Sequence, residues 1–292
     1  MFATRLWSSA DAPPTFSMEV FPPRPEHAAA FRQTITALAS CRPAFFSLTC
    51  GNEADRRPAT LDWAARIQRE TDTPVIAHLT CLGQSRDALR REVETLLDAG
   101  VANILALRGD MPRTGAPSVG FRHAAELIAE LRTLRLPLCI GAACHPQGHP
   151  EAANADADLR HLREKVDAGA DFLVTQAIFD VATFTAFLRR ARTAGVGVPV
   201  LPGILVPAGA AQIQRFAQRC GVRLPRGLPS WFRIEEAQGG ELAGLTHAAE
   251  LAVALPRCGA PGVHLFTMNR EEPAQRLHAR LRRMTAGTRT PS

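Results

Sequence analysis

The chain has 292 residues, 46% hydrophobic and 21% charged, which is typical of a globular protein with a sizeable core. No apolar run approaches the roughly 18 residues that a membrane span needs. Residues 1–14 lack the basic and apolar regions of a signal peptide, so we expect a soluble cytoplasmic protein. The net charge of +6 is mild and spread along the chain, which argues against a nucleic-acid binder but favours anionic small molecules.

Short β-like runs alternate with segments of helical periodicity from residue 15 onward. Glycine closes several of these helical segments just before the next strand, as at Gly100, Gly169 and Gly195. The predicted strands cover 15–21, 44–50, 74–79, 102–107, 137–142, 171–176, 198–204 and 262–267. The predicted helices cover 26–40, 59–70, 85–99, 119–134, 156–168, 181–194, 208–219, 241–255 and 271–284.

Eight strand–helix units in series, with strands apolar on both faces, predict a single-domain α/β fold, the closed parallel (β/α)₈ TIM barrel. A doubly wound open sheet is the alternative, weakened because no Gly-x-Gly-x-x-Gly follows an early strand. We expect an extra helix or lid over the barrel rim at 224–240, before the last strand. The predicted layout is an N-terminal extension at 1–14, the barrel at 15–284 and a disordered tail at 285–292.

Polar residues that end apolar strands are the candidate functional residues, because active sites of such barrels lie at the carboxyl ends of the strands. Since they follow different strands, they would converge on one mouth, which indicates an enzyme. The candidates are Glu19, Arg24, Thr49, Asn52, His78, Thr80, Arg108, Asp110, His145, His149, Gln176, Asp180, Asn269 and Arg270.

Structural roles stay open for several of these candidates. The structural alternative for Glu19 is a pair with an arginine, and that for Asp110 is a cap on a turn. The structural alternative for His78 is a hydrogen-bonded histidine in the core. Cys144 and the two nearby histidines are zinc-ligand types, but their spacing is poor and no fourth ligand is obvious, so we expect no metal. The seven cysteines form no Cys-x-x-Cys motif and fit reduced, buried thiols.

Six motifs, in this order and spacing, resemble the methylenetetrahydrofolate reductase family: SMEVFPPR, HLTC, LRGD, HPEA, KVDAGADFLVTQ and PGI. The resemblance covers about 16–283 and is to the short bacterial form, which has only the catalytic barrel. It implies a flavoprotein of one-carbon metabolism and methionine biosynthesis. That protein would reduce 5,10-methylenetetrahydrofolate to 5-methyltetrahydrofolate with NADH or NADPH, in a ping-pong cycle through FAD.

The resemblance also implies roles for individual residues. Glu19 matches the general acid that protonates folate N10 as the ring opens to a 5-iminium cation, and an apolar strand end suits an acid that must hold its proton. Asp110 matches the anion that stabilises this cation. Gln176 would bind the pterin ring, Phe216 would stack on nicotinamide or folate, and Arg270 would lie near the folate glutamate. The implied FAD-binding residues are Thr49, His78, Arg108, Gly109, Asp110, His145, His149, Asp158 and Lys165.

Some positions depart from the family pattern. His145 stands where an aromatic residue is common, and Ala177 and Ile178 replace bulky aromatics. Two alternatives to the reductase stay open: a non-catalytic FAD- or folate-binding paralogue, and a barrel aldolase or lyase. The expected partners are small molecules, with no nucleic acid or membrane, and a homo-oligomer remains open.

Overall fold

The computed structural model describes residues 1–7, 14–50, 57–110, 120–237 and 243–286. Its strands are all parallel and follow one another around a closed barrel in chain order, with the last pairing back to the first. This closed order confirms the (β/α)₈ barrel and excludes the open sheet. The strands are β1 (Thr15–Val20), β2 (Phe46–Leu48), β3 (Val75–Thr80), β4 (Asn103–Leu107), β5 (Cys139–Cys144), β6 (Phe172–Ala177), β7 (Val200–Leu205) and β8 (Gly262–Phe266).

The helices lie outside the barrel and begin and end within a few residues of the predicted bounds. The additional helix α8 falls inside the stretch 224–240, where an extra helix is predicted. The helices are α1 (Ala28–Ala39), α2 (Arg57–Thr71), α3 (Arg86–Asp98), α4 (Ala124–Thr133), α5 (Ala155–Asp167), α6 (Val181–Thr193), α7 (Ala210–Cys220), α8 (Leu228–Ala237), α9 (Ala243–Arg257) and α10 (Glu271–Ala286).

Several helices begin at a polar residue that caps the first turn. Ser85 accepts a hydrogen bond from Ala88 N at the start of α3, and Asn154 accepts one from Ala157 N at the start of α5. Each cap satisfies a backbone donor that has no partner inside the helix. These helices start at the mouth of the barrel, so the caps fix the loops that carry the candidate site.

The opposite, amino-terminal end of the barrel is closed by a short 3₁₀ helix, Ala3–Trp7. The backbone N–H of Ala3 donates to Asn103 Oδ1 at the start of β4, at 2.8 Å. The Trp7 ring lies edge-on to Phe45 and Phe172, with centroids 6.2 and 5.6 Å away. This plug leaves the carboxyl ends of the strands as the open end of the barrel.

We expect Trp7→Ala to lower the free energy of unfolding by about 2 kcal/mol, because it removes this packing and the indole hydrogen bond to Thr15 Oγ1 at 2.9 Å. Urea denaturation measures the change. The matched control is Trp231→Ala on α8, whose ring is 37% exposed and should cost less than half as much. Equal losses in the two variants would contradict the proposed plug.

None of the helices in the described parts of the chain is both long and apolar enough to cross a membrane.

Candidate active site

Glu19 is the one acidic residue of β1, and its side chain is only 13% exposed. Its carboxyl Oε2 lies 3.8 Å from Nε2 of His78 on β3 and 3.8 Å from Nε2 of His264 on β8. Within the described ranges, the basic groups in ion-pair range of this carboxyl are these two imidazoles, not an arginine. The structural alternative for Glu19, a partner arginine, is therefore wrong for the described part of the chain.

Each of the two histidines is held by a serine on a neighbouring strand. Ser47 Oγ lies 2.7 Å from His78 Nε2, and Ser17 Oγ lies 2.7 Å from His264 Nδ1. Burial lowers the pKa of His78 to about 4, with the charge of Glu19 opposing and that of His264 adding to the shift. His78 is therefore neutral near pH 7 and supplies hydrogen-bonding atoms, not a positive charge.

The backbone at Glu19 is fixed by the loop that follows β8. Thr267 Oγ1 donates to the Glu19 carbonyl at 2.6 Å. Asn269 forms a pair of hydrogen bonds with the backbone of Phe21, both at 2.8 Å, and has a left-handed φ of 56°. Asn269 therefore ties the ends of β1 and β8 together. Arg270 follows it and is exposed at the rim.

Lys165 reaches the mouth from α5. Its Nζ donates to the carbonyl of Ala143, near the end of β5, at 2.9 Å. Helical side chains lean toward the helix N-terminus, which explains how a residue late in α5 reaches the end of the neighbouring strand. Burial lowers the pKa of Lys165, while Cys144 and Asp158 oppose this shift and Arg108 adds to it. A bound anion would stabilise this partly buried ammonium.

Three more basic or aromatic groups surround Lys165. Arg108 pairs with Glu151 at 2.6 Å, and the rings of His145 and His149 meet edge-on at 4.6 Å. Burial lowers the pKa of His145 to about 3, with smaller contributions from the neighbouring His149 and Lys165. Arg108, His145 and His149 thus gather with Lys165 in one region, whose cations are Lys165 and Arg108.

Gln176 ends β6 beside this region, and its Oε1 accepts a hydrogen bond from Ala177 N at 2.9 Å. Together with His145 and Cys220 of α7, it lines a small cavity at the mouth. Burial raises the pKa of the Cys220 thiol, Arg219 lowers it, and the charges of Glu19 and Asp110 raise it. The carboxyl groups of Glu19 and Asp110 therefore both lie within electrostatic range of this cavity.

Four more predicted residues occupy the same end of the barrel. Asp110 is exposed after β4, and Gly109 before it has a φ of +89°, with Thr80 Cβ 3.2 Å from where a Cβ would stand. Thr49 follows β2, and Asp158 lies in the first turn of α5.

Phe216 lies on α7, with its ring centroid 6.1 Å from that of Phe266 at the end of β8. It packs against the apolar cluster that also contains Phe232 of α8. An aromatic ring therefore stands beside the carboxyl end of β8.

Two candidates have structural partners instead. Asp180 caps α6, accepting from the N–H and the hydroxyl of Thr183 at 2.6 and 2.8 Å. Thr80 accepts a hydrogen bond from Arg57 at 2.6 Å. Asn52 lies outside the described residues. Within those residues, no group of three or more His, Cys, Asp or Glu side chains has a metal-binding arrangement.

His264 is the site residue that the sequence analysis missed. It stands in the middle of the apolar strand GVHLF, and not at a strand end, so the search for polar strand ends passed over it. A histidine inside an otherwise apolar strand is the signal that could have found it, and His78 on β3 shows the same pattern.

The lowered pKa of His78 predicts a loss of stability in acid. The unfolded chain binds this proton below about pH 6.5, whereas the folded protein binds it only near pH 4. The free energy of unfolding should therefore fall by about 3 kcal/mol as the pH drops from 6.5 to about 4. Above this window His78 is neutral in both the folded and the unfolded chain, so it causes no loss of stability there. Urea titrations from pH 7 to 4 measure this loss. The stability of His78→Gln should depend less on pH than that of the wild type, and His27→Gln, which changes an exposed histidine, should show the wild-type dependence. Equal acid sensitivity of all three proteins would contradict the prediction.

The fold and this mouth define a (β/α)₈-barrel enzyme. The family model "Methylenetetrahydrofolate reductase" matches residues 6–282. The 5,10-methylenetetrahydrofolate reductases of Salmonella typhimurium and Escherichia coli K12 are each 35% identical over 260 residues, which cover 88% of this chain and 86% of the relative. Methylenetetrahydrofolate reductase (NADH) 1 of Arabidopsis thaliana is 30% identical, covering 89% of this chain and 47% of that protein.

The chain therefore belongs to the methylenetetrahydrofolate reductase family, and it is an oxidoreductase of folate one-carbon metabolism. Its length matches the short bacterial members. Among solved structures, a Clostridium thermocellum protein that binds two copies of 5-methyl-5,6,7,8-tetrahydrofolic acid has a TM-score of 0.66 at 13% identity, covering 94% of this chain and 96% of that one. Dihydropteroate synthase from Xanthomonas albilineans has a TM-score of 0.52 at 17% identity, covering 94% and 93%. These two likenesses concern the fold alone.

Proposed function

We propose that this protein reduces 5,10-methylenetetrahydrofolate to 5-methyltetrahydrofolate in a ping-pong cycle, with a reduced nicotinamide as donor and Glu19 as general acid. The observation that carries the proposal is the position of Glu19, a largely buried carboxyl at the barrel mouth between two imidazoles. Its carboxyl also lies within electrostatic range of Cys220, which lines the same cavity as Gln176. Proton delivery to a bound folate needs an acid in such a place.

The donor set at the ends of β4 and β5 fits FAD. The partly buried ammonium of Lys165, the guanidinium of Arg108 and the N-terminus of α5 all favour a diphosphate anion. The nearby Thr49, His78, Gly109, Asp110, His145, His149 and Asp158 complete the proposed binding residues. When bound, FAD supplies the hydride transfer, taking a hydride from the nicotinamide and giving it to the folate.

Glu19 donates its proton to N10 of the folate as the five-membered ring opens. The N10–carbon bond breaks, N10 gains the proton, and the 5-iminium cation forms. Asp110 provides a negative charge that stabilises this cation. Gln176 presents an amide, with both donor and acceptor, to the pterin ring, Phe216 stacks on the folate or nicotinamide, and Arg270 meets the glutamate tail at the rim.

A flavin spectrum tests the proposal. The purified protein, or the protein reconstituted with FAD, should be yellow and should bleach anaerobically on adding NADH or NADPH. Each nicotinamide is tested separately, which also identifies the donor. A protein that takes up no FAD would overturn the proposal, and one that binds FAD but is bleached by neither donor would be the non-catalytic paralogue.

A further inference from the structure

His264 has a buried nitrogen that the proposed function does not use. The residue is 0% exposed, and its Nε2 makes no hydrogen bond with any described residue. A buried polar atom without a partner costs free energy, so its position needs a reason. Glu19 Oε2 lies 3.8 Å from this nitrogen.

The hydrogen bonds of Ser17 indicate which nitrogen of His264 carries the proton. Ser17 Oγ lies 2.7 Å from His264 Nδ1 and 3.3 Å from the carbonyl oxygen of Val263. The Val263 carbonyl can only accept, so Ser17 donates its single hydroxyl hydrogen to that carbonyl. The Ser17 oxygen then accepts a hydrogen bond from His264 Nδ1–H. A neutral imidazole has one donor and one acceptor, which leaves Nε2 with a lone pair directed at Glu19.

The surroundings offer this lone pair few other proton donors. The His264 ring stacks on Phe45, with centroids 5.9 Å apart, and meets Phe266 edge-on at 5.5 Å. Among the titratable groups of the described chain, Glu19 on β1 lies 3.8 Å from this nitrogen and His78 on β3 interacts electrostatically with the ring, but Nε2 of His78 is already bonded to Ser47. Cys220 of α7 and Asp110 interact electrostatically with each other at the same mouth. The carboxyl proton of Glu19 is the donor that suits His264 Nε2.

We propose that His264, oriented by Ser17, is a positioning residue that keeps the proton on Glu19 between turnovers. In the resting enzyme the protonated carboxyl donates to His264 Nε2. The 3.8 Å separation is too long for a hydrogen bond, and rotation about the soft terminal torsion of Glu19 closes it. An ionised carboxylate would face the Nε2 lone pair, which disfavours that form. This inference rests on the proposed role of Glu19.

The proton balance is simple. Glu19 loses its proton to folate N10 once per turnover, and the overall reaction takes up one proton from solvent, which restores the acid at the open mouth. His264 neither gains nor loses a proton in this cycle. Its effect is to raise the pH up to which Glu19 remains a proton donor.

The test uses two amide substitutions, one that replaces only Nδ1 of His264 and one that replaces only Nε2. His264→Asn keeps an amide near Nδ1 for Ser17 but removes the atom that faces Glu19, whereas His264→Gln returns a carbonyl to the Nε2 position. The rate of reoxidation of the pre-reduced holoenzyme by methylenetetrahydrofolate is measured against pH. We expect the pH at which this rate falls by half to move down by about one unit in His264→Asn. His264→Gln should recover part of that shift, and flavin reduction by the nicotinamide should be unchanged in both.

The matched control is His278→Asn, because His278 packs against Phe16 on the outer face of β1, with ring centroids 4.9 Å apart. Its pH profile should equal that of the wild type. An unshifted profile in His264→Asn, or a loss of both half-reactions in proportion, would overturn the positioning role. A wild-type enzyme that is not reoxidised by the folate at all would instead overturn the proposed function.

A second variant and a direct readout cover the case in which His264→Asn does not fold. Ser17→Ala removes the acceptor for Nδ1–H, so it should shift the rate profile in the same direction. Nitrogen-15 NMR of histidine-labelled protein reports the tautomer without any turnover. We expect the Nδ1–H form at His264 in the wild type and a gain of the Nε2–H form in Ser17→Ala. An Nε2–H tautomer in the wild type would overturn the inference whatever the kinetics.

Discussion

We expect Glu19→Gln to slow the transfer of the hydride to methylenetetrahydrofolate by about 100- to 10,000-fold, the range that a general acid contributes. The amide occupies the place of the carboxyl between His78 and His264 but has no acidic proton to give to N10. Flavin reduction by the nicotinamide requires no such proton, so that half-reaction should stay within a few-fold of the wild type. Rapid mixing of each half-reaction under anaerobic conditions measures the two rates separately.

The control for this variant is Glu26→Gln, which makes the same chemical change at an exposed residue beyond the end of β1. Both of its half-reactions should match the wild type. If Glu19→Gln slows both half-reactions equally, the carboxyl supports the site in general and is not the acid of the folate step.

The second large effect concerns Lys165. We expect Lys165→Met to weaken FAD binding by about 10- to 100-fold, since a hydrogen bond to a charged group contributes roughly 1.5–3 kcal/mol. Methionine keeps an unbranched side chain on α5 but removes the partly buried ammonium at Ala143. Titration of FAD-free protein with FAD, followed by flavin fluorescence, measures the dissociation constant. The wild-type affinity should also fall with added salt more steeply than that of the variant.

Arg163→Met on the same helix is the matched control. Arg163 is exposed and pairs with Asp167 on the outer face of α5, so its loss should leave FAD affinity unchanged. Tight FAD binding by Lys165→Met would show that Lys165 supports the end of β5 and does not meet the phosphates.

Periodicity and punctuation in the sequence predicted the barrel because both are local signals repeated eight times. Glycines such as Gly100 and Gly195, both with positive φ, end helices where the next strand must begin. Strands buried on both faces are continuous apolar runs, so their positions are clear even though their ends shift by one or two residues. Closure of the barrel follows from this serial order, not from any single motif.

Only part of the candidate site could be predicted from the sequence. Polar residues at strand ends led to Glu19, His145 and Gln176, because strand ends of parallel barrels share one mouth. Asp180 satisfied the same rule but caps α6, since aspartate is chemically suited to both tasks. His264 escaped because it does not end its strand, and because its neighbour on the adjacent strand β1, Glu19, is 245 residues away in the sequence and only closure of the barrel brings them together.

The plug at the amino-terminal end of the barrel was also beyond prediction. The segment Ala3–Trp7 carries no periodic pattern, and its partners Phe45 and Phe172 belong to strands far along the chain. Its helix is defined by long-range packing and by the Asn103 hydrogen bond, which sequence propensity does not contain.

A single-turnover experiment tests the central claim most directly: the protein is reduced with nicotinamide, the donor is removed, and methylenetetrahydrofolate is added without oxygen. The account predicts that flavin absorbance returns in full and that one 5-methyltetrahydrofolate forms per flavin. Reduced protein that stays bleached in the presence of this folate would contradict it.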